Sequence, residues 1–313
     1  MPCLTAFWLW ACLPASPAVA RPGNLRGRRR SLPVVQRGWG AGDRPCQTEA
    51  RGPLSIDRQA GEVLATLEQT GELDNSLIVM SGDNGWPFPR SKATLYDTGT
   101  HQPLAIRWAS VAAPGRTVDD FVSLADLAPT FLEAAGLSLP KSMTAHSLMP
   151  LLCSRKSGQV DPRREHVLTC METHVPCRLL VDGSRGGYPM RSILTKEFHY
   201  IRNFCPDRWA AGDPQTTDAI TFQQLAKNTF AAYADIDAGP TKAWMVLHRH
   251  DPTVQPLAER AFGKRPAREL YDSRKDPYEL TNVAEVATYK TIVSELDARL
   301  MAELKATGDP RAN

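Results

Sequence analysis

The sequence predicts an α/β layer fold followed by a small antiparallel sheet covered by a C-terminal helix. Three observations carry this. A short apolar run, "SLIVMS" (Ser76–Ser81), is flanked by apolar residues at helical spacing. After about Asp161 the texture changes to short strand-like segments, two of them flanking Lys196-Glu197. Finally, Tyr289, Ile292, Val293, Leu296, Leu300 and Leu304 fall on one face of a last helix.

Taken in order, residues 1–53 are rich in Pro, Gly and Arg and show no steady period, which predicts a disordered, basic, signal-like leader. "LTAFWLWACLPA" is an apolar core, and "AVA" (Ala18–Ala20) fits a small-residue cleavage site. No Lys or Arg precedes that core. Two readings stay open: a secretory signal, or a segment that is not a native N-terminus. The core is too short to span a bilayer as a helix, so no stable membrane span is expected. Arg21, Arg26, Arg28, Arg29 and Arg30 read as a solvated arm.

Ordered structure is expected from Leu54. Ile56, Ala60, Val63, Leu64 and Leu67 recur at helical spacing, and Gly71 stops the pattern. Ser76–Ser81, apolar on both faces, suits a central strand of a covered parallel sheet. "PLAIRWA" (Pro103–Ala109) is a second strand. Asp119-Asp120 reads as a helix-start signal, and a helix is expected from Asp126 to Ala135, with Pro129 in its first turn and Gly136 as its stop. "HVLTCMETH" fits another strand, "MRSILT" and "FHYIRN" a hairpin, and "RELYD" one more strand. The expected partition is a leader over 1–53, an α/β portion over 54–185 and an α+β subdomain over 186–313.

Composition narrows the function. At 42% hydrophobic and 23% charged the chain is ordinary for a globular protein, and a net charge of +3 predicts no nucleic-acid partner. The 7 cysteines show no CxxC spacing, which argues against a structural zinc site.

The chemistry concentrates in "SGDNGWPFPRSKATLYDTGTHQPL". Asp83 and Asn84 follow the carboxyl end of a strand, where open α/β sheets build their sites. A carboxylate and an amide oxygen are hard donors suited to Ca²⁺ or Mg²⁺, although Asp-Asn-Gly is also a favoured turn.

Together with "IDRQAGEVLATLEQTGELDNSLIVMS", "VSLADLAPTFLEAAGL" and "ELYDSRKDPYELTNVA", this stretch resembles the sulfatase family over about residues 54–313. "PFP", "YPMRS" and "ITFQQL" are similar to the branch that contains heparan N-sulfatase and bacterial relatives. The resemblance implies a partial alkaline-phosphatase-like α/β sandwich. It implies Asp83 and Asn84 as ligands of Ca²⁺ (or Mg²⁺), and Lys92 as the basic residue that contacts the substrate sulfate, against the reading of a solvated surface lysine. His174, in "CMETHVPCR", lies in a region that lines the substrate pocket in related enzymes, or is a plain loop histidine. His101 is given no catalytic role, and Arg191 serves the motif through packing or a structural ion pair.

The family's nucleophile is a formylglycine made from Cys or Ser in Cys/Ser-x-Pro-x-Arg. The residues four places after the cysteines are Phe7, Ser16, Ala50, Ser157, His174, Val181 and Trp209, and none is Arg. No catalytic residue is therefore assigned. The expectation is a sulfatase-type hydrolase of sulfate esters or sulfamates, acting on sulfated small molecules or glycans, whose present chain is inactive alone and holds its cation incompletely. The alternative is a non-catalytic sulfatase-like remnant. A phosphoryl-transfer relative would need further carboxylates and a Ser/Thr nucleophile, for which no candidate stands out. A real signal segment would imply export to a periplasmic, secreted or lysosome-like compartment.

Overall fold

The computed structural model describes residues 13–14, 45–214 and 220–312. The signal-like and basic segments, Leu13-Pro14 apart, fall outside those residues. Leu13–Pro14 forms a two-residue strand, β1. Helix α1 spans Pro45–Gln69 and thus begins ahead of Leu54, a correction to the leader expected over 1–53. Gly52-Pro53 breaks the sequence pattern, but the helix formers around it continue the element. Gly71, at φ 72°, takes the left-handed turn that ends it.

Strand β2 occupies Ser76–Ser81, and β3 covers Leu104–Arg107. Leu77, Ile78 and Val79 are all buried, so both faces of β2 are covered. The pairing corrects the parallel expectation: β2 is antiparallel to both β1 and β3, with Val79 opposite Ile106. Between β2 and β3 the chain makes only α2, four residues over Asp97–Thr100. The connection therefore lacks the crossover helix that usually carries a strand back in parallel.

Helix α3 runs over Leu127–Ala134 and α4 over Met149–Cys153. A 3₁₀ turn at Leu124–Asp126 precedes α3, and its cap is Ser123 in a reciprocal box with Asp126. Asp119-Asp120 is therefore not the helix start. Asp120 is buried and accepts the backbone N–H groups of Val160 (2.7 Å) and Asp161 (2.6 Å), tying two loops together. Leu77, Val79, Trp108, Leu148 and Leu151 form the core of this part.

Strand β4 (His166–Met171) joins a second sheet, with the short pair β5 (Arg178–Leu179) and β6 (Arg185–Gly186) following it in sequence. Strands β7 (Met190–Thr195) and β8 (Phe198–Asn203) form the expected hairpin. Helices α5 (Phe222–Lys227), α6 (Pro240–Leu247) and α7 (Gln255–Phe262) precede β9 (Arg268–Asp272) and α8 (Lys290–Ala306). The four-stranded sheet has the order β4-β7-β8-β9, antiparallel throughout. β4 thus belongs with the C-terminal sheet although it precedes residue 185.

The period of two along these strands sorts their side chains to two faces. Ile193, Tyr200 and Leu270 meet Val293, Leu300 and Leu304 of α8 on one side. Met190, Ile201 and Tyr271 face the other way and pack on Leu95 and Tyr96. The second contact seats the loop between β2 and β3 against the C-terminal sheet. Among the described residues no helix is long and apolar enough to cross a membrane.

Candidate functional site

The loop from Gly82 to Pro103 is closed at its base. Gly82 N–H donates to the Pro103 carbonyl at 3.3 Å, and Gly85 N–H to the Gly99 carbonyl at 3.1 Å. The two limbs lie so close at Gly85 that a Cβ there would stand 2.4 Å from the Thr98 carbonyl oxygen and 2.6 Å from Gly99 Cα. Only glycine fits that approach. It fixes the neighbouring Asp83-Asn84 at the carboxyl end of β2.

Asp83 is exposed and Asn84 half-buried. The Asn84 amide N–H donates to Asp83 Oδ2 at 2.7 Å, so the amide nitrogen is committed to the carboxylate. The donor chemistry fits Ca²⁺ or Mg²⁺, but two donors do not fill a shell of six or more. Among the described residues no group of three or more His, Cys, Asp or Glu could hold a metal ion.

Lys92 is partly buried, and its Nζ lies 2.9 Å from Asp237 Oδ2. His174, after β4, has its Nδ1 3.3 Å from Asp235 Oδ1. Asp235, Ile236 and Asp237 are consecutive. One three-residue strip therefore joins Lys92 and His174, although 81 positions separate them in sequence.

The strip is firmly built. Asp235 is buried, accepts the Val175 N–H at 2.9 Å and pairs with the Arg178 guanidinium. Arg178 is also buried and donates to the carbonyls of Trp209 and Ala210, each at 2.6 Å. Burial opposes ionisation of Asp235, but the His174 and Arg178 contacts outweigh it and hold its carboxyl below the usual range. Beside it, burial first and the Asp235 charge second push the Cys177 thiol up to about 11. Cys177 is thus kept as a neutral thiol, unsuited to act as a nucleophile.

Lys242 of α6 anchors the strip from below. Its ammonium, buried, donates to the carbonyls of Thr229 (3.0 Å), Tyr233 (3.2 Å) and Ile236 (2.7 Å). Burial pushes its pKa down to about 8, against a smaller upward pull from Asp237. Between about 8 and the ordinary 10.5 the unfolded chain binds a proton that the folded chain has released. Stability is therefore expected to rise with pH across that window. Urea unfolding of the wild type and Lys242→Met at both ends of the window checks this: the wild type should gain relative to the variant as pH rises.

Lys92 and Asp235 also line a cavity with Tyr96, Tyr188, Arg265 and Glu269. Glu269, buried, accepts from Tyr96 (2.8 Å), Tyr271 (2.6 Å) and the Asn203 amide (2.8 Å). Elsewhere, His101 lies 3.2 Å from Asp97 in an exposed pair, and Arg191 joins Glu172 (3.1 Å) to Asp309 (2.8 Å) as an ion-pair hub.

Sequence reasoning missed Asp235, Asp237, Arg178 and Lys242, and missed α5 to α7 around them. The available signal was "ADIDAGPTK": acids at alternate positions before a Gly-Pro helix start.

Residues 26–137 match the family model described as Sulfatase, a match that begins ahead of Leu54. An ulvan-active sulfatase of Formosa agariphila is 27% identical over 267 residues, which are 81% of this chain and 37% of that protein. N-sulphoglucosamine sulphohydrolase of Homo sapiens is 27% identical over 271 residues, 82% of this chain and 46% of that protein. A chain solved in complex with its substrate D-glucosamine-2-N,6-O-disulfate superposes with a TM-score of 0.54 at 22% identity, covering 82% of this chain and 40% of that one. The chain thus spans less than half the length of these curated relatives, and shares the fold of the solved one.

Proposed function

We propose that this chain, part of which matches the sulfatase family model, forms part of a hydrolase of sulfate esters or sulfamates on sulfated glycans. The supporting observation is the Asp235–Asp237 strip, which brings Lys92 and His174 to one place. In this reading Lys92 contacts the sulfate, since a partly buried ammonium is a strong anion partner. His174 would border the substrate through its contact with Asp235, although it is not among the residues that line the cavity beside Lys92. Asp83 and Asn84 would supply two oxygen ligands to Ca²⁺ (or Mg²⁺), an ion that stabilises sulfate charge when bound.

The chain has no Cys/Ser-x-Pro-x-Arg segment, and Cys177 is a neutral thiol. We therefore expect binding without turnover: no hydrolysis of an aryl sulfate with Ca²⁺ present. Turnover by the purified chain that disappears in Asp83→Ala/Asn84→Ala would overturn this. In the same experiment, Ca²⁺ binding by calorimetry is expected to be weak and to be lost in that double variant. If instead the chain binds neither Ca²⁺ nor sulfated ligand, the non-catalytic remnant is the better reading. Export is proposed on the signal-like segment alone.

A further inference from the structure

The charges around Lys92 suggest how the site would choose among anions. Asp237 Oδ2 lies 2.9 Å from Lys92 Nζ, and the two side chains are 31% and 24% exposed. Lys92 lines the cavity and Asp237 does not, but both side chains are part-exposed, so a ligand can reach the pair. Asp235, two residues earlier, is committed elsewhere: its carboxylate is buried between Arg178, His174 and the Val175 N–H. The Lys242 ammonium also acts on Asp237, but its own hydrogen bonds go to three backbone carbonyls. Along the strip, the cations Lys92, Arg178 and Lys242 face the two carboxylates of Asp235 and Asp237, which leaves one net positive charge among these five side chains.

We infer that Asp237 is a specificity-determining residue, which tunes the Lys92 site to monoanions and disfavours dianions. The inference rests on the reading of Lys92 as the sulfate contact. A sulfate ester or a sulfamate carries one negative charge. Inorganic sulfate and a phosphate monoester carry two near neutral pH. A single net positive charge balances the first class. Against the second, the Asp237 carboxylate adds repulsion at close range, in a partly desolvated place where charge is weakly screened.

Phenyl sulfate and phenyl phosphate test this, because they match in size and differ in charge. Their dissociation constants at neutral pH are compared for the wild type, Asp237→Asn, Asp237→Glu and Lys92→Ala by calorimetry or NMR titration. Asp237→Asn should strengthen phenyl phosphate about tenfold more than phenyl sulfate, the effect of one unit charge in a half-solvated site. Asp237→Glu keeps the charge and should keep the wild-type ratio. Asp237→Ser repeats the neutral test should the asparagine variant fail to fold. Equal shifts for both ligands, or none, overturn the role of Asp237 while Lys92→Ala still weakens phenyl sulfate. If Lys92→Ala leaves phenyl sulfate binding unchanged, or the wild type binds neither ligand, the reading of Lys92 itself falls.

Discussion

Replacing Asp235 with alanine is expected to destabilise the chain by about 3–5 kcal/mol, the usual cost of stranding one partner of a buried ion pair. The Arg178 side chain is 1% exposed and would keep its charge out of reach of water with no anion to balance it. Its remaining partners would be carbonyls, chiefly those of Trp209 and Ala210. The Val175 N–H would lose its acceptor as well, and His174 the group that orients it. Urea unfolding checks the loss as a lower midpoint at unchanged slope. Removing both charges, in Asp235→Ala/Arg178→Met, should recover part of it, because the stranded cation is then gone. A loss under about 1 kcal/mol would contradict the burial of the pair. Since the folded Asp235 carboxyl titrates below its ordinary value of 3.8, its contribution is present above that pH and is lost as pH falls through the folded value.

Glu269→Ala is the second large effect, again about 3–5 kcal/mol. Three buried donors converge on this carboxylate: Tyr96 OH, Tyr271 OH and the Asn203 amide. The Arg90 and Arg265 guanidinium groups flank the Tyr96 ring, at 3.7 and 5.3 Å from its centre, and Glu269 is the nearby opposing charge. Each orphaned donor loses a bond without regaining water. The consequence reaches the site, because Tyr96 belongs to the loop that carries Lys92 and Tyr271 to the sheet below it. Glu269→Gln should cost less, since it can still accept from two donors at similar size. Near-UV circular dichroism of the tyrosines should weaken in the alanine variant before global unfolding. An unchanged spectrum with an unchanged midpoint would refute the network's role.

Much of this molecule is legible in its sequence, for local reasons. Ser76–Ser81, the hairpin of Met190–Thr195 with Phe198–Asn203, and Arg268–Asp272 are strands by composition and punctuation alone, and the structure forms them over the expected residues. The α8 face follows from spacing, and the left-handed stops at Gly71 and Gly136 from glycine's freedom. Asp83, Asn84, Lys92 and His174 were legible as candidates because each sits in a recognisable motif.

What the sequence alone determined, then, is the identity of these elements and of the polar residues at their ends. Only the tertiary structure decided how they combine. The antiparallel return of β3, the transfer of β4 to the C-terminal sheet and the pairing of Lys92 with Asp237 all depend on contacts between distant segments. Short helices such as α6 carry too little periodicity to announce themselves, and they form because Ala243 and Val246 find a core to enter. The physical reason is common to all of these. A propensity or a motif acts over a few neighbours, whereas burial and charge pairing are settled by whichever remote group the folded chain delivers.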